Sequence, residues 1–189
     1  MKASSIRLAW MVGVSITATL AAQHSPYLGL EGRALKALSA EQVEDYLEGR
    51  GMGLALAAEL NGYPGPKHVL ELAEELALDD GQLSEMREIF AHMQAEAVDL
   101  GRRIVERERS LDALFAEGRI DAETLRQATE DLGRLNGQLR GAHLAAHLAT
   151  MEVLSGDQRA RYAEARGYGE VVMHDPSRHH QGVSEGDGA

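Results

Sequence analysis

His143, His147 and Met151 stand four residues apart in the run His143-Leu144-Ala145-Ala146-His147-Leu148-Ala149-Thr150-Met151. On a helix such positions share one stripe. Two imidazoles one turn apart can chelate a single ion, and a thioether beside them biases the set toward copper, nickel, cobalt or zinc. The chain contains no cysteine, so disulfides, thiolate nucleophiles and zinc-thiolate sites are excluded, and ligands are restricted to His, Met and carboxylates. The same histidines also read as helix-flank residues packing beside a seam. Met86, Met93 and Met151 also read as core filler.

The elements that must carry these residues are marked by a repeated grammar. Leu38-Ser39-Ala40-Glu41-Gln42, Leu78-Asp79-Asp80-Gly81-Gln82 and Leu154-Ser155-Gly156-Asp157-Gln158 each place a capping side chain three residues before Gln. The cap oxygen can accept the third amide of a helix, while the Gln reaches back to the cap's own N–H. Each site therefore starts a helix.

Between the second and third caps, apolar residues recur in steps of 3 and 4. The first run is Leu83, Met86, Phe90, Met93, Ala97, Leu100, Ile104, Leu111 and Leu114, with Arg107 in the one missing slot. Glu117-Gly118-Arg119-Ile120 breaks it, and Asp121 can cap the next helix. The second run is Leu125, Ala128, Leu132, Leu135, Leu139, Ala142, Ala146, Ala149 and Val153. Two such stripes joined by a short turn predict a long antiparallel helical hairpin in an all-α protein. Short helices are expected before it, over Ser39–Leu47, Met52–Leu60 and Pro66–Ala77, with Asn61-Gly62-Tyr63-Pro64-Gly65-Pro66 as a stiff turn. A short last helix runs to about Arg166 and stops at Gly167. Gly133, Gly137 and Gly141 repeat every four residues and suggest a face approached closely by the short helices or by a second copy of the chain. A homodimer is expected.

The hairpin constrains the ligands. A turn near Gly118–Asp121 sets residue 147 level with His92 and residue 143 level with Glu96. The heptad phase, however, puts His143 at e and His147 at b on one arm, and His92 at c and Glu96 at g on the other. These pairs face opposite sides, which disfavours a closed intrahairpin site, although His92 and Glu96 stay among the additional candidate ligands. Further ligands must come from His68 and Glu71 in the N-terminal helices, or from a partner subunit.

Met1–Arg7 is basic and Leu8–Ala22 uncharged, closing on small residues. That is the layout of a secretory leader over 1–22, with an uncleaved anchor as the alternative, and in a bacterium it implies the periplasm. Residues 23–65 hold short helices and loops, 66–167 the hairpin domain, and 168–189 a Gly-, His-, Ser- and Asp-rich tail expected to be disordered. In that tail His174, His179 and His180 could scavenge metal loosely. The formal net charge is −11, a sign that argues against nucleic-acid partners. Without Cys, a phosphate-binding Gly loop or HExxH, and with carboxylates on solvated faces, no catalytic centre is expected.

The Leu-[Ser/Thr]-x-x-Gln pattern at both ends of a long hairpin, behind a leader, resembles the LTxxQ-motif proteins: the Spy/CpxP group of periplasmic stress chaperones and related periplasmic heavy-metal-resistance sensors. The resemblance covers roughly 66–167, with Asp79 in place of Thr in the first motif. It implies a cradle-like dimer without catalysis that binds metal ions or unfolded envelope proteins, or that answers to a membrane-bound regulator. The chaperones of this group use a basic concave surface, and this chain is acidic. Arg102, Arg103, Arg107 and Arg109, with Arg126, Arg134 and Arg140 on the facing arm, are the candidate client-binding surface. A purely structural or regulatory envelope adaptor is the alternative.

Overall fold

The computed structural model describes residues 25–168, and its regular structure is entirely helical. The leader assigned to 1–22 and all but the first residue of the tail lie outside the described residues. Among the described residues no helix is long and apolar enough to cross a membrane. The chain divides into two compact units, Met1–Gly32 and Arg33–Ala189. The second carries α1 (Ala40–Leu47), α2 (Leu56–Glu59), α3 (Pro66–Glu71), α4 (Asp80–Ala116), α5 (Ala122–Val153) and α6 (Gly156–Ala165).

The 37 residues of α4 and 32 of α5 form the expected hairpin; at 1.5 Å per residue its arms run about 55 and 48 Å. Gly118 turns the chain at φ +64°, and the Asp121 carboxylate accepts the Thr124 amide at 2.8 Å to start α5. Met93, Ala97, Leu100 and Ile104 pack against Leu132, Leu135, Leu139 and Ala146 as one buried seam. Arg107 fills the missing heptad slot by pairing across the hairpin with Asp131 at 2.8 Å; both side chains are more than a third exposed, so this bond contributes at most about 1 kcal/mol. Toward the tip the seam opens. Phe115 is 56% and Leu125 39% exposed.

The glutamines of the two motifs that bracket the hairpin lock into each other. Gln82 donates to Gln158 Oε1 at 2.9 Å, and Gln158 donates to Gln82 Oε1 at 2.8 Å. Each amide oxygen also accepts its own cap N–H, from Asp79 at 3.2 Å and Ser155 at 2.9 Å. The paired caps therefore join the starts of α4 and α6, beyond punctuating each helix. Beneath them Val69, Leu76, Met86, Leu154 and Tyr162 form a second buried cluster.

α1 runs to Leu47 behind its Ser39 cap as expected, whereas α2 and α3 are shorter than the sequence predicts. Met52 sits at φ +45° between two glycines, which delays α2 to Leu56; Ala77 at φ +51° closes the turns that follow α3. The expected close approach at Gly133, Gly137 and Gly141 is not made by the short helices: a Cβ at any of the three meets nothing within 4 Å. It occurs instead at Gly101 on α4, where a Cβ would lie 1.9 Å from the Tyr46 carbonyl oxygen at the end of α1.

Candidate metal centre

Side chains on the outer flank of α5 become a site because the segment from α2 to α3 lies across them. Pro64 is fully buried, and Pro66 begins α3 at its first turn, where its missing N–H is no loss. Between the prolines, Gly65 passes the imidazole of His147 so closely that a Cβ would sit 3.0 Å from Nε2 and 3.6 Å from Glu59 Oε2. The absent side chain leaves a notch bordered by an imidazole nitrogen and a carboxylate oxygen. This notch belongs to a cleft of about 780 Å³ whose walls include His143, His147, His68, Met93 and Tyr168.

His143 and His147 are 6% and 9% exposed. The His147 Nδ1 lies 2.7 Å from the Tyr63 carbonyl. A carbonyl only accepts, so Nδ1 carries a proton, and in the neutral ring the lone pair is then on Nε2. The Nε2 of His143 is buried with no hydrogen-bond partner. Burial, and then the neighbouring His147, hold the His143 imidazole below its ordinary pKa of 6.5.

That depression has a consequence for stability. The unfolded chain takes up a proton at His143 near pH 6.5 while the folded chain still excludes it, so the unfolded state binds more protons in that interval. Stability is full above about pH 6.5 and falls as the pH drops toward the lower folded value. Urea midpoints measured from pH 7.5 to 5.5 are expected to decline, and His143→Leu to flatten part of that decline; an unchanged slope would contradict the assignment.

Sequence reasoning missed Glu59, the buried carboxylate beside His147. It is 7% exposed. Its Oε1 accepts the hydroxyls of Tyr162 at 2.6 Å and Tyr168 at 2.7 Å, and its Oε2 accepts the Gly65 N–H at 3.2 Å. Oε2 lies 3.8 Å from His147 Nδ1, and Arg166 Nε lies 3.5 Å from Oε1. Burial and then Glu59 itself push the Tyr162 phenol above its ordinary range, so it remains a donor. The Glu59 carboxylate thus joins the end of α2, the Gly65 turn, α6 and Tyr168 around one imidazole. Nothing periodic marks Glu59; the available signal was a charged residue in the mostly apolar Leu54–Leu60 stretch.

The other candidate ligands disperse. His68 lines the cleft, with Nδ1 2.9 Å from Glu71 Oε2. Met151 is buried on the same helix but is not in the cleft wall. His92 and Glu96 are exposed and also outside the cleft, in keeping with the heptad phase. Among the described residues no three His, Asp or Glu side chains converge tightly enough to hold an ion by themselves. Arg102, Arg103, Arg107 and Arg109 are all exposed. Arg103 pairs with Asp99 at 3.4 Å and Arg107 with Asp131, while Arg126 is engaged by Glu123 and Glu130 on the facing arm.

The flank histidines of this all-helical hairpin are thus enclosed by the loop that precedes it. The heavy-metal resistance family matches residues 52–161, more than half of the 189-residue chain, and the chain belongs to that family. The matched region begins 14 residues before the hairpin domain assigned from the sequence motifs and takes in the Met52–Gly65 segment that covers the histidines. No curated protein and no solved structure matches the chain.

Proposed function

We propose that this protein is an exported, non-catalytic metal-binding member of its family, in which His143 and His147 take up a transition-metal ion in the periplasm. The observation that carries this reading is the buried His143 Nε2 without a partner, one helical turn from an imidazole whose other nitrogen is already committed to Tyr63. An unsatisfied buried polar atom costs about 1–3 kcal/mol, and a bound ion would offset that cost. The fixed Nδ1–H of His147 is the support that imidazole ligands commonly receive. Gly65 has no side chain to cover His147 Nε2. Copper, nickel, cobalt and zinc all suit imidazole ligands. The periplasmic destination rests on the leader-like first 22 residues. The client-binding reading has less support, because several of the arginines it would use already face carboxylates.

Calorimetric titration of the mature protein with nickel, cobalt, copper and zinc tests the proposal. The His143→Ala/His147→Ala variant is expected to lose at least about tenfold in affinity. Gly65→Ala, which fills the notch, is expected to weaken binding too, and His92→Ala/Glu96→Ala to leave it unchanged. Equal affinity in the double histidine variant would remove this site.

A further inference from the structure

We infer that the cleft beside His143 and His147 is built for copper(I), with the thioethers of Met93 and Met52 as the ligands that select it. This rests on the preceding reading of the two histidines and names the ion they take up. A thioether is a soft, neutral donor that favours copper(I) over nickel or cobalt. The chain has no cysteine, so sulfur can reach an ion here only from methionine. Met52, Met86, Met93 and Met151 are the methionines among the described residues. Met52 and Met93 line the cleft that both histidines line, and Met86 and Met151 do not.

The two thioethers reach the cleft from different elements. Met93 belongs to α4 and packs in the same buried cluster as Ala146. Ala146 stands on α5 between His143 and His147, so the hairpin seam itself sets Met93 level with the imidazole pair. Met93 is 8% exposed, which makes it a fixed part of the wall. Met52 belongs to the loop before α2. It is 38% exposed and sits at φ +45° between Gly51 and Gly53. A methionine in the left-handed region is strained, and such strain is kept most often at ligand sites. Gly49 and Gly53, also at positive φ, carry the loop along the cleft that both of them line. Charge points the same way. Two imidazoles and two thioethers are all neutral ligands. The Glu59 carboxylate beside His147 is already engaged by Tyr162, Tyr168 and the Gly65 N–H, and it faces Arg166. An uncompensated buried charge is costly, and a singly charged ion carries less of that cost than a doubly charged one.

Competition of the full chain with the copper(I) chelator bicinchoninate, under reductant and without oxygen, tests the inference beside nickel and cobalt titrations. The parent chain is expected to bind copper(I) more tightly than nickel or cobalt. Met52→Leu/Met93→Leu, which nearly keeps side-chain volume, is expected to lose at least about tenfold in copper(I) affinity and to leave nickel affinity unchanged. Met86→Leu/Met151→Leu is expected to leave both unchanged. X-ray absorption of the copper(I) form reads the ligand atoms directly. Sulfur beside nitrogen is expected in the parent, and nitrogen without sulfur in Met52→Leu/Met93→Leu. Tighter binding of nickel or cobalt than of copper(I), or a parent spectrum free of sulfur, would overturn the inference and leave the histidine site standing. So would a Met52→Leu/Met93→Leu chain that holds copper(I) as tightly as the parent. Parental copper(I) and nickel affinities in His143→Ala/His147→Ala would instead remove the underlying site.

Discussion

Gly101→Ala is expected to destabilise the fold by about 3 kcal/mol or more, against the ordinary sign of that substitution. In a helix interior, Ala is normally better than Gly by about 1 kcal/mol. At Gly101 the new methyl would stand 1.9 Å from the Tyr46 carbonyl oxygen and 2.6 Å from its carbon. Both belong to backbone, so no rotamer change relieves the clash, and α1 must shift as a body. That shift would pull Leu38 and Val105, with Val43 and Tyr46 packed beside them, out of their cluster. Gly133, Gly137 and Gly141 provide the control within the same hairpin. A Cβ there meets open space, so each Ala is expected to stabilise by about 0.5–1 kcal/mol. Urea denaturation of the four variants measures the contrast. If Gly101→Ala raised the midpoint as Gly137→Ala does, the close packing of α1 on α4 would be wrong. If the three open positions lost stability instead, a second copy of the chain would have to be packing against that face.

Glu59→Ala is the second large effect, an expected loss of about 3 kcal/mol or more. The substitution leaves the Tyr162 and Tyr168 hydroxyls and the Gly65 N–H without their common acceptor. Unpaired buried donors cost about 1–3 kcal/mol each, and Tyr162 is only 2% exposed. Glu59→Gln retains one carbonyl oxygen for the tyrosines and is expected to lose less, though its amide presents donors near Gly65. Thermal unfolding gives the ranking, parent above Gln above Ala. Near-ultraviolet circular dichroism should report released tyrosines in the Ala variant. A Glu59→Ala protein within about 0.5 kcal/mol of the parent, the ordinary range for a surface substitution, would mean that the carboxylate does not organise this region.

The hairpin, its turn at Gly118 and the helix starts at Ser39, Asp79, Asp121 and Ser155 were legible because they depend on local chemistry. A 3/4 apolar period specifies a helix and its buried stripe, and a capping side chain with its reciprocal partner specifies where the helix begins. Periodicity also separated His92 and Glu96 from the histidine pair, since phase along a helix is a local property. α2 was expected too early because Met52 adopts positive φ, which no composition rule assigns to that residue type.

The histidine pair marks the limit of what local chemistry specifies. Sequence by itself determined that His143 and His147 share a stripe, and the heptad phase placed them at e and b, on the flank of α5 beside the seam rather than in it. On a bare hairpin that flank faces water. Only the tertiary structure decided that it is enclosed, because Tyr63-Pro64-Gly65 crosses it and Gly65 has no side chain to hold the turn away. The same crossing buries Glu59 and brings Tyr162 and Tyr168 onto it across separations of 103 and 109 residues. Likewise, each capping glutamine was readable alone, but the pairing of Gln82 with Gln158 across 76 residues was not. Local hydrogen bonds and apolar periods write the helices. Contacts between distant segments have no periodic signature, and they decide which polar side chains are removed from water and become able to bind.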